Sequence, residues 1–152
     1  MNRIYMDNAA TTPLSSEVLA EMMPVLTGGF GNPNSLHSFG REAKQYVDVA
    51  RARVAKGLGC DEEEIYFTSG ATEANNWAIN GIAKAYRHKG NHIITSKIEH
   101  PSILETCKKM EREGYRVTYL DVDESGFVRI DQLLHYLSSD TILISIMAAN
   151  NE

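Results

Sequence analysis

Phe67-Thr68-Ser69-Gly70-Ala71-Thr72-Glu73 puts small and hydroxyl residues where a short apolar run, Glu64–Thr68, is expected to give way to a long helix. A turn of this kind is suited to an anion. The first N–H groups of a helix have no partner within it, the helix dipole is positive at that end, and Thr72 adds a hydroxyl donor. Gly70 and Ala71 keep the backbone open to a phosphate. The same residue types also cap ordinary helices, so the turn gains its meaning from what recurs downstream. Ile93–Ser96 reads as a buried strand with Glu99-His100-Pro101 close behind it, and Pro101 suits the first position of a new helix. A third apolar run, Thr141–Met147, is followed by Ala148-Ala149-Asn150-Asn151-Glu152. Thr72, His100 and Asn151 therefore all fall beyond the carboxyl ends of predicted parallel strands, where open α/β sheets place their ligands. Three polar groups at that one level point to a cofactor site rather than to three unrelated caps.

The elements that must position these groups follow from periodicity. Ile4–Met6 reads as a short strand and Pro13–Leu26 as an amphipathic helix with Val18, Met22, Val25 and Leu26 on one face. Gly28–Ser35 is a turn-rich loop. His37–Leu58 is a long helix with Ala43, Val47, Ala50, Val54 and Leu58 at helical spacing, stopped by Gly59. Strand Glu64–Thr68 leads to a helix from Ala71 to about His88. Strand His92–Ser96, helix Pro101–Glu113, strand Arg116–Leu120, a turn at Asp123–Gly126, a helix near Ile130–Leu137 and the last strand complete the order. Alternating helices and largely apolar strands predict an α/β fold with a mostly parallel sheet flanked by helices. Thr141–Met147, apolar on both faces, is expected in the middle of a sheet once later strands cover it, and to leave an unpaired edge in these residues alone. Trp77 and Tyr86 are expected in the core.

Composition narrows the function classes. The 152 residues carry 15 Lys+Arg against 20 Asp+Glu, a net charge of −5, which gives no electrostatic basis for a nucleic-acid surface. The longest apolar stretch, Thr141–Ala149, is too short to span a bilayer, so no membrane is expected. Met1-Asn2-Arg3-Ile4 carries no apolar signal region, and a cytoplasmic location is the expectation. Cys60 and Cys107 are far apart and lack Cys-x-x-Cys spacing, which indicates neither a metal site nor a disulfide framework.

Five segments together carry a family likeness. Tyr5–Pro13, Phe30–Ser35, Phe67–Glu73, Ile93–Ser96 with Glu99-His100, and Ile146–Glu152 resemble, in order and spacing, the successive signatures of the cysteine desulfurases. These are pyridoxal 5'-phosphate (PLP) enzymes of the class V aminotransferase superfamily that feed sulfur to iron–sulfur cluster assembly. The resemblance runs from Ile4 to Glu152. It implies the type I PLP-dependent transferase fold, with residues 1–14 as an N-terminal arm belonging to the small domain and 15–152 as an incomplete PLP-binding large domain. It makes Ala71 and Thr72 phosphate ligands. His100 becomes the ring that stacks on the cofactor and transfers protons, and Asn151 a contact to the cofactor's ring oxygen or the substrate carboxylate. In the family, L-cysteine gives L-alanine, and an enzyme thiolate takes the sulfur as a persulfide. The partners implied are L-cysteine, a second subunit in a homodimer, and iron–sulfur scaffold or sulfur-acceptor proteins. Ala148-Ala149 looks closer to the nitrogen-fixation branch than to the housekeeping one.

The resemblance also shows which residues are not here. Family members are much longer. Their Schiff-base lysine lies in a Ser-Gly-His-Lys motif downstream of the Asn-Asn-Glu at 150–152, and the persulfide cysteine sits on a later mobile loop. Neither is in these 152 residues, so the chain alone is expected to be inactive. Lys97 is expected to face solvent rather than to serve as that lysine. Cys107 reads as a half-buried packing thiol, and Cys60 precedes the acidic run Asp61–Glu64, which works against a thiolate. Other readings are a selenocysteine lyase, a small-amino-acid aminotransferase, or a non-catalytic remnant that associates with an intact desulfurase.

Overall fold

The computed structural model of the chain describes residues 3–150. Their contacts divide into two compact units, one ending at Phe67 and the other beginning at Thr68. No helix among the described residues is long and apolar enough to cross a membrane.

The first unit is helical. Its first helix, α1 (Ser16–Gly28), starts three residues later than the sequence suggests because the Ser15 hydroxyl accepts the Val18 N–H and takes the N-cap position. Helix α2 (Ser38–Leu58) ends where Gly59 turns left-handed (φ 70°), which only glycine does cheaply. Both helices keep apolar side chains exposed. Val18, Met22, Val25, Tyr46, Ala50 and Phe67 line a groove of about 1090 Å³ in this unit.

Two expected strands do not form. Ile4–Met6 has no regular structure, and Ile4 and Met6 are exposed. The span expected as Glu64–Thr68 begins inside a 3-10 turn, Glu62–Glu64, where the Glu64 carboxylate accepts the Asp61 N–H at 2.9 Å. Ile65 is extended, but residues 65–68 form no ladder among the described residues. An apolar run makes extended backbone favourable; a strand needs a neighbour to pair with.

The second unit carries the sheet. Its elements are α3 (Ala71–Ala85), β1 (His92–Ser96), α4 (Pro101–Arg112), β2 (Arg116–Leu120), α5 (Ile130–Tyr136) and β3 (Thr141–Ser145). The strands are parallel in the order β2-β1-β3, with Ile93 facing Val117 on one side and Leu143 on the other. Every residue of β1 is buried. Helices α3 and α4 pack on each other and on the sheet, joining Ile79, Ala83, Ile103, Cys107, Met110 and Tyr115 to Ile93 in one apolar core. The Tyr115 hydroxyl is satisfied by the Ala83 carbonyl at 2.9 Å.

Three expectations need correction here. The last strand is shorter than Thr141–Met147, and among the described residues it stands at an edge of the sheet with Ile144 exposed, where the full fold is expected to add later strands. Trp77 and Tyr86 are 53% and 43% exposed rather than core, because Ile79 and Ala83 occupy the inward face of α3. Cys107 is fully buried rather than half-buried.

Candidate active site

Both sequence-predicted anchors sit at helix starts in the second unit. Ala71 and Thr72 open α3, whose N-cap is Gly70, and no side chain caps that end. The first N–H bonded within the helix is that of Ala74, to the Gly70 carbonyl at 3.1 Å. The amides of Ala71, Thr72 and Glu73 come before it and, with the dipole, present a positive end. Glu73 is the nearby carboxylate. It folds back to accept the Ser69 N–H at 2.7 Å and the Ser69 hydroxyl at 2.8 Å, which hold it below the usual carboxylate range.

His100 is the N-cap of α4. Its Nδ1 accepts the Ser102 N–H at 3.1 Å and lies 2.9 Å from the Ser102 hydroxyl. The ring itself is exposed. Thr72 and His100 line one groove of about 470 Å³ between α3 and α4, together with Asn76, Ser102, Lys109 and Arg112. The structure therefore brings Thr72 and His100 to one place.

Sequence reasoning missed what holds them there. Asn76 Nδ2 donates to the Thr72 carbonyl at 2.9 Å, and its Oδ1 accepts the Thr106 hydroxyl at 2.8 Å. Asn75 Nδ2 donates to the Ser102 hydroxyl at 2.9 Å. The available signal was the spacing of Asn76, four residues after Thr72 on one helix; nothing local marks Asn75, whose partner lies 27 residues away.

Asn151 lies outside the described residues. The segment leading to it is tied to the loop after β1. Asn150 Nδ2 donates to the Ile98 carbonyl at 2.8 Å, and the buried Glu99 carboxylate accepts both the Met147 N–H at 2.7 Å and the Ser96 hydroxyl at 3.0 Å. Glu99, the residue before His100, thus draws the end of β3 toward the end of β1.

The remaining nucleophiles and cations are engaged elsewhere. Lys97 is exposed and pairs with Asp121. Burial, with Glu111 and Glu99 near, pushes the Cys107 thiol up to about 11, far from a reactive thiolate. Cys60 is partly buried, with its sulfur 3.9 Å from the Ala55 carbonyl. Among the described residues no three His, Cys, Asp or Glu side chains converge as a metal site would require.

The groove suits a phosphorylated aromatic cofactor. It combines an uncapped helix end with a hydroxyl, an exposed ring anchored through one nitrogen, and the cation Arg112, while Lys109 is drawn to Glu113 at 3.7 Å and Asn80 at 3.2 Å. The chain belongs to the aminotransferase class-V family, which it matches over residues 4–152. The relatives it matches are PLP-dependent cysteine desulfurases, and the chain corresponds to their N-terminal part. It is 54% identical over its whole length to the cysteine desulfurase IscS of Clostridium botulinum, covering 38% of that protein. Similar solved structures include a NifS-like protein (TM-score 0.94, 44% identity, 99% of this chain and 42% of that one) and SspA in complex with cysteine (TM-score 0.86, 40% identity, 95% and 42%). The chain spans about two fifths of the length of the curated relatives it matches.

Proposed function

We propose that these residues form one wall of the PLP site of a cysteine desulfurase, in which the whole protein converts L-cysteine to L-alanine and passes the sulfur to one of its own cysteines. The observation that carries this reading is the shared groove of Thr72, on an uncapped helix end, and His100, on a ring fixed through Nδ1. In this reading Ala71 and Thr72 hold the phosphate through their amides and the Thr72 hydroxyl. His100 covers one face of the pyridine ring and presents Nε2 for proton transfer, and Asn151 contacts the ring oxygen or the substrate carboxylate. When bound, the cofactor's ring draws electron density from the substrate Cα. Residues 1–14 act as an arm to the small domain, and 15–152 as part of the large one. Homodimerisation, a cytoplasmic location and delivery to iron–sulfur scaffold or sulfur-acceptor proteins belong to the same proposal. SspA, a relative of the same fold, is described with cysteine bound.

The test uses the polypeptide extended through the region its relatives possess and these 152 residues lack. PLP is titrated by absorbance, and alanine and sulfide release are measured with L-cysteine. Thr72→Ala is expected to weaken PLP binding about tenfold, the loss of one charge-assisted hydrogen bond. His100→Ala is expected to alter the cofactor spectrum and lower kcat by roughly a hundredfold or more. PLP binding and turnover indifferent to both changes would place the cofactor elsewhere.

A further inference from the structure

We propose that Ser102 and Asn75 are a positioning pair that locks His100 in the tautomer carrying its proton on Nε2. The proposal rests on the reading above, in which the exposed face of His100 meets the cofactor, and adds what sets that ring's proton and plane.

The assignment follows from which groups can only donate. A backbone N–H has no lone pair to offer, so the Ser102 amide, 3.1 Å from Nδ1, makes Nδ1 an acceptor. A neutral imidazole with an accepting Nδ1 carries its hydrogen on Nε2. The Ser102 hydroxyl, 2.9 Å from the same nitrogen, agrees with this. Its oxygen accepts from Asn75 Nδ2 at 2.9 Å, which leaves its own hydrogen to point at Nδ1. Ser102 is buried, so the serine end of both bonds is held in a fixed place although the ring is exposed. Pro101 contributes by omission: it occupies the first helical position and has no N–H, so the first amide of α4 able to meet the ring is that of Ser102.

The pair reaches across two helices. Asn75 stands one turn after Thr72 on α3, and Ser102 stands in the first turn of α4. The helix that offers amides to the phosphate therefore also sets the orientation of the histidine. A plain helix cap would need only the Ser102 amide. The hydroxyl and the Asn75 amide add a second bond to Nδ1 and a fixed direction to it.

The experiment compares wild type with Ser102→Ala, Ser102→Thr and Asn75→Ala. In the extended protein without cofactor, labelled with ¹⁵N-histidine, long-range proton–nitrogen spectra report which ring nitrogen is protonated; the His100 signals are assigned by their loss in His100→Ala. Wild type is expected to show a single form with Nε2 protonated. Ser102→Ala and Asn75→Ala are expected to add the Nδ1-protonated form, and Ser102→Thr, which keeps the hydroxyl, to restore the single form. With PLP and L-cysteine, the two alanine variants should lose about tenfold in kcat with KM little changed, since each loosens a supporting contact rather than removing a substrate one. Wild type carrying its proton on Nδ1 would overturn the proposal, as would unchanged tautomer and kcat in both alanine variants. If His100→Ala leaves PLP binding and spectrum unaltered, the site reading fails. If it alters them while Ser102→Ala and Asn75→Ala change nothing, only the positioning pair fails.

Discussion

At the scale of single residues, the buried polar groups divide by their distance from the site. Glu99 and Ser102 are buried beside it and organise its loops; His92 is buried at the opposite end of β1. The His92 ring joins all three strands, with Nδ1 2.8 Å from the Thr141 hydroxyl and Nε2 2.9 Å from that of Thr118. Burial, assisted by Arg116 and opposed by Asp140, lowers its pKa below the ordinary histidine value. The unfolded chain therefore takes up a proton near pH 6.5, while the folded chain resists until a lower pH. Stability should be full above pH about 6.5 and should fall as pH drops from there toward the depressed folded pKa. Thermal melts from pH 8 to 5 should show this decline, and His92→Gln should flatten it. A wild-type Tm that stays level or rises over that range would contradict the assignment. Of these residues, Thr72 and His100 were legible in the sequence because each belongs to a local turn-to-helix pattern. Asn75 and Ser102 were not: they meet across 27 residues of chain, and neither has a local pattern that announces its partner.

At the scale of elements, legibility depended on whether an element is completed by its own residues. Strands β1 and β2 run as the sequence predicts, His92–Ser96 and Arg116–Leu120, because each is an apolar run bounded by turn residues and has a partner within the chain. Residues 65–68 have the same composition but no ladder, since pairing depends on a second segment. The length of β3 has a similar origin: the apolar run continues to Met147, but the ladder with β1 ends at Ser145. The entry to β1 is constrained more tightly than its composition suggests. A Cβ built on Gly90 would lie 2.2 Å from the Asp140 carbonyl oxygen, just where the His92 N–H bonds to that oxygen at 3.0 Å. Gly90→Ala should therefore push β3 away from β1 and cost about 1–3 kcal/mol, read as a Tm several degrees lower. Gly57→Ala, in open space within α2, should be neutral or stabilising by a few tenths to about 1 kcal/mol. Equal melting of the two variants would refute the close-approach argument.

At the scale of the whole molecule, the family was legible because its signatures are spread along nearly all of these residues, so that their order and spacing carry information that no single turn does. The whole activity was not, because the lysine and the sulfur-carrying cysteine implied by the family lie outside the 152 residues. Produced on its own, this polypeptide should release no alanine from L-cysteine with added PLP, and it should self-associate. Its β3 edge is unpaired on one side among the described residues, and α1 exposes Val18, Met22, Val25 and Leu26. Light scattering at micromolar concentration and an alanine assay check both expectations; a monodisperse monomer, or steady turnover, would contradict them. The strand order has a further consequence, in time. Because β1 is central but is synthesised first of the three, it leaves the ribosome with both edges open, and 44 residues separate its end from the start of β3. At roughly 5–20 residues per second, its second edge waits on the order of 2–9 seconds for a partner. During that interval the backbone N–H and C=O groups along that edge of β1 are open to pairing with another chain.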